Sequence, residues 1–172
     1  MVYPPELLDH LQATKAEPWK GVVYRHMFAS YSATLENTRG ARWNPKGVAA
    51  IYTSLERETA SAEANYRLSL EPLRPRARRT IYSIRVTLHQ VLDLRSMKLL
   101  QQIGIDDSCL GGVDLSACQQ VGGAAAWLDH DGLLVPSARG PGGNLVIFPA
   151  KRRPDAVFDV IASEIVEEST LP

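Results

Sequence analysis

The sequence predicts an α+β fold, with a compact mixed β-sheet core and flanking helices, on three observations. Runs rich in β-branched and aromatic residues, Val22 to Phe28 and Ala49 to Thr53, read as strands, and Ile81 to Leu88 alternates with the period of two that a half-buried strand requires. Residues 55–70 instead repeat at helical spacing. The two kinds of element are interspersed along a chain of 172 residues with no internal repeat and no low-complexity tract. A chain of this length buries roughly 70% of its unfolded surface and holds a core without disulfide or metal, so residues 1–172 are expected to form one domain.

Each element has its own signal. Pro4 and Pro5 can open a short helix in which Leu7, Leu8 and Leu11 share a face. Trp19 and Gly21 lead into the strand Val22 to Phe28. Residues 29–48 are polar and turn-rich, with Asn37, Gly40, Asn44-Pro45 and Gly47; an unstructured loop of that length in a small domain is usually functional. After the strand Ala49 to Thr53, Ser54 is placed to cap a helix from Leu55 to Leu70. On that helix Thr59, Glu63, Tyr66 and Leu70 fall on one face, away from Glu56, Arg57 and Asn65. Glu63 is therefore expected inward, among apolar neighbours. A basic loop follows, with Arg74, Arg76, Arg78 and Arg79. The strand Ile81 to Leu88 is then extended by a short segment, Val91 to Leu94. Helices are expected over Met97 to Ile103 and Leu115 to Leu128, the second weakened by Gly122 and Gly123 at about 1 kcal/mol each. Gly132 to Val135 and Asn144 to Phe148 read as strands around a glycine-rich loop, and Phe158 to Ile161 as a last strand.

Composition narrows the function. Lys plus Arg and Asp plus Glu both number 19, so the formal charge is zero, which argues against direct nucleic-acid binding by bulk charge. Two cysteines, Cys109 and Cys118, make neither a disulfide framework nor a four-ligand zinc site, and the four histidines lack metal spacing; no metal is expected. No run approaches the roughly 20 apolar residues of a membrane span, and the N-terminus lacks a basic-then-apolar leader pattern, so a cytoplasmic protein without membrane attachment is expected. Gly140-Pro141-Gly142-Gly143 is not followed by Lys-Ser/Thr and is no phosphate-binding P-loop, and the other glycine pairs lack dinucleotide-fingerprint spacing.

Four places carry side chains suited to chemistry. Arg25 lies within an apolar strand and needs an anion or several acceptors; taken alone it reads first as an edge arginine facing solvent, and otherwise as a ligand for an anion or diphosphate. Gly40 to Gly47 brings Arg42 and Lys46 together in a tight loop whose Trp43 either stacks on a ligand or staples the loop to the core. Tyr52, at a strand end, and Glu63, eleven residues on, can converge on one cleft. An aromatic ring and a carboxylate are what cleavage of a cationic N-glycoside needs, because its transition state is oxocarbenium-like. Taken alone, Tyr52 also reads as core packing and Glu63 as the partner of Arg25 or Arg67. Ser137 has no nucleophile-elbow context, which leaves a hydroxyl that bonds a phosphate or ribose, or an ordinary turn serine.

In this order the pieces resemble the RES domain family, named for an Arg, a Glu and a Ser. The resemblance rests on Tyr24-Arg25, Gly40-Ala41-Arg42-Trp43-Asn44-Pro45-Lys46-Gly47, Ile51-Tyr52-Thr53-Ser54, Ala60-Ser61-Ala62-Glu63, and Leu134-Val135-Pro136-Ser137 with Asn144. It covers about residues 20–150. It implies a fold similar to that of ADP-ribosyltransferase toxins, and a toxin of a bacterial toxin–antitoxin pair whose antitoxin is a helix-turn-helix protein. It also implies an enzyme that consumes NAD⁺ as substrate with no bound cofactor, by phosphorolysis to nicotinamide and ADP-ribose 1″-phosphate or by hydrolysis; some members transfer ADP-ribose to protein. Carried over, the family's residues fall on Arg25, Arg42, Tyr52, Glu63 and Ser137. Arg25 and Arg42 would grip the diphosphate or an incoming phosphate, Tyr52 would stack on nicotinamide or its ribose, and Glu63 would stabilise developing positive charge. Ser137 with Asn144 would hold a phosphate or ribose oxygen. Two departures are visible: Ala41 stands where a glycine is usual, and Ile147-Phe148-Pro149-Ala150-Lys151 replaces an Asn-Pro-x-His-like strand. They leave the choice between phosphate and water as acceptor open. A non-enzymatic module that works by binding its partner is the alternative from another class.

Overall fold

The computed structural model describes residues 2–28, 31–70 and 78–166. Its elements are α1 (Pro5–Ala13), β1 (Ala16–Phe28), β2 (Ile51–Ser54), α2 (Arg57–Ser69), β3 (Arg79–Asp93), α3 (Met97–Gln102), α4 (Asp107–Gly111), α5 (Ser116–Trp127), β4 (Gly132–Pro136), β5 (Gly143–Ile147) and β6 (Val157–Val166), with one 3₁₀ turn at Pro149–Lys151. The strands run β1-β2-β5-β4-β3, and β3 pairs back onto β1, so five strands close into a barrel with β6 laid outside on β3. Among the described residues only the β3–β4 pairing is parallel. The mixed sheet and flanking helices are as expected; the closure follows from the length of β1 and β3, which the sequence understates.

Both long strands cross polar stretches that look like breaks. In β3, His89 and Gln90 interrupt the apolar pattern, yet their N–H groups donate to the two carboxylate oxygens of Asp131 at 2.8 and 2.9 Å. Asp131 is buried, and its carboxylate stands in for a ladder partner, so the chain stays extended from Arg79 to Asp93 as one strand rather than two. In β1, the register shifts between Glu17 and Trp19, and the bulge takes up Pro18, which has no N–H for the ladder.

Two clusters of buried side chains form the core. One joins all five barrel strands through Val23, Ile51, Ile84, Leu134 and Leu145 and fills the barrel. The other packs α1, α5 and the outer face of the sheet, with Leu11, Val121, Ala125, Leu133 and Phe148. Gly122 on α5 belongs to this layer. A Cβ there would overlap the carbonyl oxygen of Trp43, so the glycine lets the 31–50 loop seat its backbone on the helix and is not merely a weak point.

Several boundaries differ from the sequence reading. Ser54 ends β2 and caps nothing; α2 starts at Arg57, after Glu56. The five-residue α4 has no apolar periodicity and was not foreseen, whereas Asp106 gives it a side-chain cap on the Cys109 N–H. β6 has ten residues, not four, and is largely exposed, which explains its weak pattern. Arg74 and Arg76 of the basic loop lie outside the described residues; Arg78 is exposed and Arg79 opens β3. Among the described residues no helix is long and apolar enough to cross a membrane.

Candidate active site

A cleft runs along α2, between that helix, the ends of β1, β2 and β5, and the loops before β2 and after β4. Its centre is Glu63. The Ser137 hydroxyl donates to Glu63 Oε1 at 2.7 Å and the Asn144 amide to the same oxygen at 3.1 Å. Asn144 in turn accepts from the Ser54 hydroxyl at 2.8 Å. Oε2 of Glu63 has no hydrogen-bond partner among the described residues. The carboxylate is thus half-buried among polar donors, not apolar neighbours as expected, because the helix face that carries it looks into the cleft.

The loop that brings Ser137 to the helix is fixed at its other end. Glu56 Oε2 accepts from the Gly143 N–H at 3.1 Å and the Thr59 hydroxyl at 2.9 Å. Gly142 sits against these same two side chains so closely that a Cβ would overlap them. Ser137 also closes its own turn, accepting from the Arg139 N–H at 3.1 Å.

The opposite wall is the 31–50 loop, held by side chains rather than by a sheet. Asn44, fully buried, donates to the carbonyls of Asn37 and Val48 at 3.0 and 2.7 Å. Tyr52 donates its hydroxyl proton to Asn44 Oδ1 at 2.7 Å and accepts from the Trp43 N–H at 2.9 Å. Burial holds that phenol neutral, its pKa raised well above the usual range. Arg25 donates to the carbonyls of Ala33 and Leu35, the latter at 2.6 Å. It is buried, and desolvation with the nearby charge of Arg67 lowers its pKa to about 10, still protonated at neutral pH. Arg42 donates to the carbonyls of Cys109 and Gly112 at 2.7 and 3.2 Å and so ties the loop to α4. Trp43 is 2% exposed and is the staple, not an open stacking surface.

The cleft has two lobes, of about 120 and 220 Å³. Tyr52, Glu63, Arg67 and Asn144 border both. Arg25 borders the first and Arg42 the second, while Ser137 reaches the centre through Glu63. Of the six residues singled out from sequence, Ser137 and Asn144 bond Glu63 directly, and Tyr52, Arg25 and Arg42 line the cleft around it. Three more line it: Tyr66 and Arg67, which the sequence reading placed beside Glu63 without giving them a part in the site, and Arg139, which it did not single out. Tyr66 and Arg67 follow Glu63 at i+3 and i+4, spacing that puts them on its face. Arg139 lies with its guanidinium carbon 3.3 Å from the centre of the Tyr66 ring, a cation–π contact, and no sequence spacing signals it. Among the described residues no cluster of metal-ligating side chains occurs.

The RES domain family model matches residues 18–168. The chain is 30% identical over 161 residues to proteins named NAD(+) phosphorylase MbcT from Mycobacterium tuberculosis and Mycobacterium bovis, a span of 86% of this chain and 84% of each relative. Its fold superposes on a chain of the crystal structure of the M. tuberculosis MbcT–MbcA toxin–antitoxin complex with a TM-score of 0.83 at 25% identity, covering 95% of this chain and 93% of that one.

Proposed function

The chain belongs to the RES domain family, and from that premise we propose that it is the toxin of a toxin–antitoxin pair and destroys NAD⁺ by breaking its nicotinamide–ribose bond. One observation carries the reading: Glu63 Oε1 is fixed by Ser137 and Asn144, which leaves Oε2 to a cleft bordered by Tyr52 and several arginines. The relatives named as NAD(+) phosphorylases support the substrate and the acceptor.

The chemistry follows from charge. The nicotinamide ring of NAD⁺ is cationic; as its bond to ribose breaks, it takes the electron pair and leaves neutral, needing no general acid. The positive charge passes to the ribose as an oxocarbenium ion, which an ionised carboxylate at Glu63 stabilises. A phosphate oxygen then bonds to the ribose carbon that nicotinamide left, giving ADP-ribose 1″-phosphate. Tyr52 stands against the nicotinamide or its ribose. Arg25 and Arg42 supply positive charge near the diphosphate or phosphate while bracing the loop, and Arg67 and Arg139 add to that field. Ser137 and Asn144 orient Glu63 as well as offering polar contacts to a ribose or phosphate oxygen. NAD⁺ and phosphate are substrates, with no bound cofactor or metal in the scheme.

The same reading extends to setting. The partner is a helix-turn-helix antitoxin, the site of action the cytoplasm, and the whole chain one domain kin to the ADP-ribosyltransferase toxins. Purified protein incubated with NAD⁺, with and without phosphate, tests the reaction. Nicotinamide and ADP-ribose 1″-phosphate, identified by mass and formed only with phosphate, are expected. Unchanged NAD⁺ in both refutes the reading; free ADP-ribose in both replaces phosphate by water; label retained on protein from adenine-labelled NAD⁺ replaces it by transfer.

A further inference from the structure

A third lobe, of about 320 Å³, opens off the cleft beside the C-terminal end of β1. Met27, Phe28, Tyr31, Leu35 and Leu68 make most of its wall, and it meets the first lobe across His26, Met27, Ala64 and Arg67, which border both. The reaction at Glu63 uses none of the apolar side chains. The rings of Phe28 and Tyr31 stand edge to face, centroids 6.4 Å apart and planes at 69°. Tyr31 is 50% and Leu35 46% exposed, so aromatic and aliphatic surface is left open together on one rim. His26, on the inner wall, has no hydrogen-bond partner on either ring nitrogen among the described residues, and burial with the charges of Arg79 and Arg57 keeps it neutral, with a pKa of about 4.

We propose that this lobe binds the adenine ring of NAD⁺. The proposal rests on reading the cleft as the NAD⁺ site and adds which end of the molecule goes where. The bond to be broken lies at one end of the dinucleotide; the adenosine end, joined through the diphosphate, needs its own surface. Arg67 borders all three lobes, so its guanidinium stands at the junction that a diphosphate would cross. Along α2, Leu68 lies five residues beyond Glu63, about 7.5 Å of helix rise, which leaves a ribose and diphosphate to bridge the two. Between them Ala64, which borders the first and third lobes, offers only a methyl group. Adenine is planar and uncharged at neutral pH. An open aromatic edge, aliphatic neighbours and an uncharged imidazole match it, since every base offers a stacking face. The second lobe gathers three arginines, Arg42, Arg67 and Arg139, whereas this lobe has Arg67 and Arg79 against five large apolar side chains; the second suits an anion better and this one a base.

The test separates this proposal from the reaction itself. AMP, which carries the adenine end and no nicotinamide, is titrated into the wild type, Tyr31→Ala, Tyr31→Phe and Glu63→Gln, with binding read by calorimetry or NMR. AMP is expected to bind the wild type, Tyr31→Phe and Glu63→Gln alike and to bind Tyr31→Ala roughly five- to a hundredfold more weakly. In NAD⁺ turnover the same Tyr31→Ala change should raise KM by a similar factor with much less effect on kcat. Absence of AMP binding to the wild type overturns the proposal, as does AMP binding that survives Tyr31→Ala but is lost in Glu63→Gln. A protein that leaves NAD⁺ intact yet shows the expected AMP pattern refutes the reaction and keeps the lobe. Thermal unfolding of each variant guards against misfolding, and a destabilised Tyr31→Ala is replaced by Leu35→Asp, which places a charge on the same rim and carries the same expectations.

Discussion

Replacing Glu63 by glutamine removes a charge and almost nothing else. The glutamine amide keeps an oxygen where Oε1 stands, so the Ser137 hydroxyl and Asn144 amide, at 2.7 and 3.1 Å, still have an acceptor. Those bonds pass from charge-assisted to neutral and lose about half their strength, on the order of 1 kcal/mol, and the fold should survive with a small fall in Tm. The transition state loses far more. A carboxylate about 4 Å from an oxocarbenium ion is worth about 4 kcal/mol at an effective dielectric of 20. With a tenfold rate change per 1.36 kcal/mol, that amounts to about a thousandfold in kcat. The assay is NAD⁺ loss and nicotinamide release in excess phosphate, with Tm measured beside it. A glutamine variant within tenfold of the wild type, at unchanged Tm, would refute the carboxylate's role in stabilising charge.

Four further outcomes are expected. Ser137→Ala removes one charge-assisted bond to Glu63 and should lower kcat about ten- to a hundredfold, whereas Asn144→Ala also frees Ser54 and should cost Tm as well; steady-state kinetics and calorimetry separate the two. Gly122→Ala drives a methyl into the Trp43 carbonyl and should destabilise by about 1–3 kcal/mol, a fall of roughly 2–12 °C in Tm. Arg139→Gln should raise KM for phosphate more than KM for NAD⁺ with little change in Tm, since the cation–π contact with Tyr66 is only half-buried. His26 is held neutral by burial, its pKa lowered from 6.5 to about 4. Its contribution to stability is therefore complete above pH 6.5 and is lost as pH falls from 6.5 through 4, because the unfolded chain binds that proton first; His26→Leu should flatten this limb of the Tm–pH curve.

How much of this was legible depended on whether the signal was local. The alternation of Ile81 to Leu88 and the helical spacing around Glu63 are local, and both elements are where the sequence puts them. The continuation of β3 through His89 and Gln90 is not, because the group that satisfies those two N–H donors is Asp131, some forty residues on. Ser54 had the right chemistry for a cap and was instead recruited by Asn144 across the sheet, a tertiary override of a local preference. Gly122 and Gly123 read as weak helix positions because propensity cannot see the Trp43 backbone and Tyr3 ring that pack on them. The site was legible as a set of residue types in order. The partners that orient them were not: the Glu63 bonds span 74 and 81 residues of sequence, and Arg139 reaches Tyr66 over a similar distance.

The loop before β2 shows why several of these side chains serve the scaffold and the chemistry at once. It contributes only isolated bridges, at Asn37–Ala50 and Ala41–Asn44, to the sheet system, so its carbonyls must find donors elsewhere. Arg25, Asn44, Arg42 and Gln119 supply N–H groups that answer carbonyls in or against it, and Tyr52 closes the set through Asn44 and the Trp43 N–H. A guanidinium can bond two separate carbonyls and still present its charge to the cleft; a lysine ammonium concentrates the charge at one point and lacks the fork. Arg25→Lys should therefore loosen the Ala33–Leu35 turn while keeping the charge. Arginine at this position is required by geometry before it is required by any phosphate, and the cationic wall of the cleft is in this sense a by-product of pinning a loop that has no sheet to lean on.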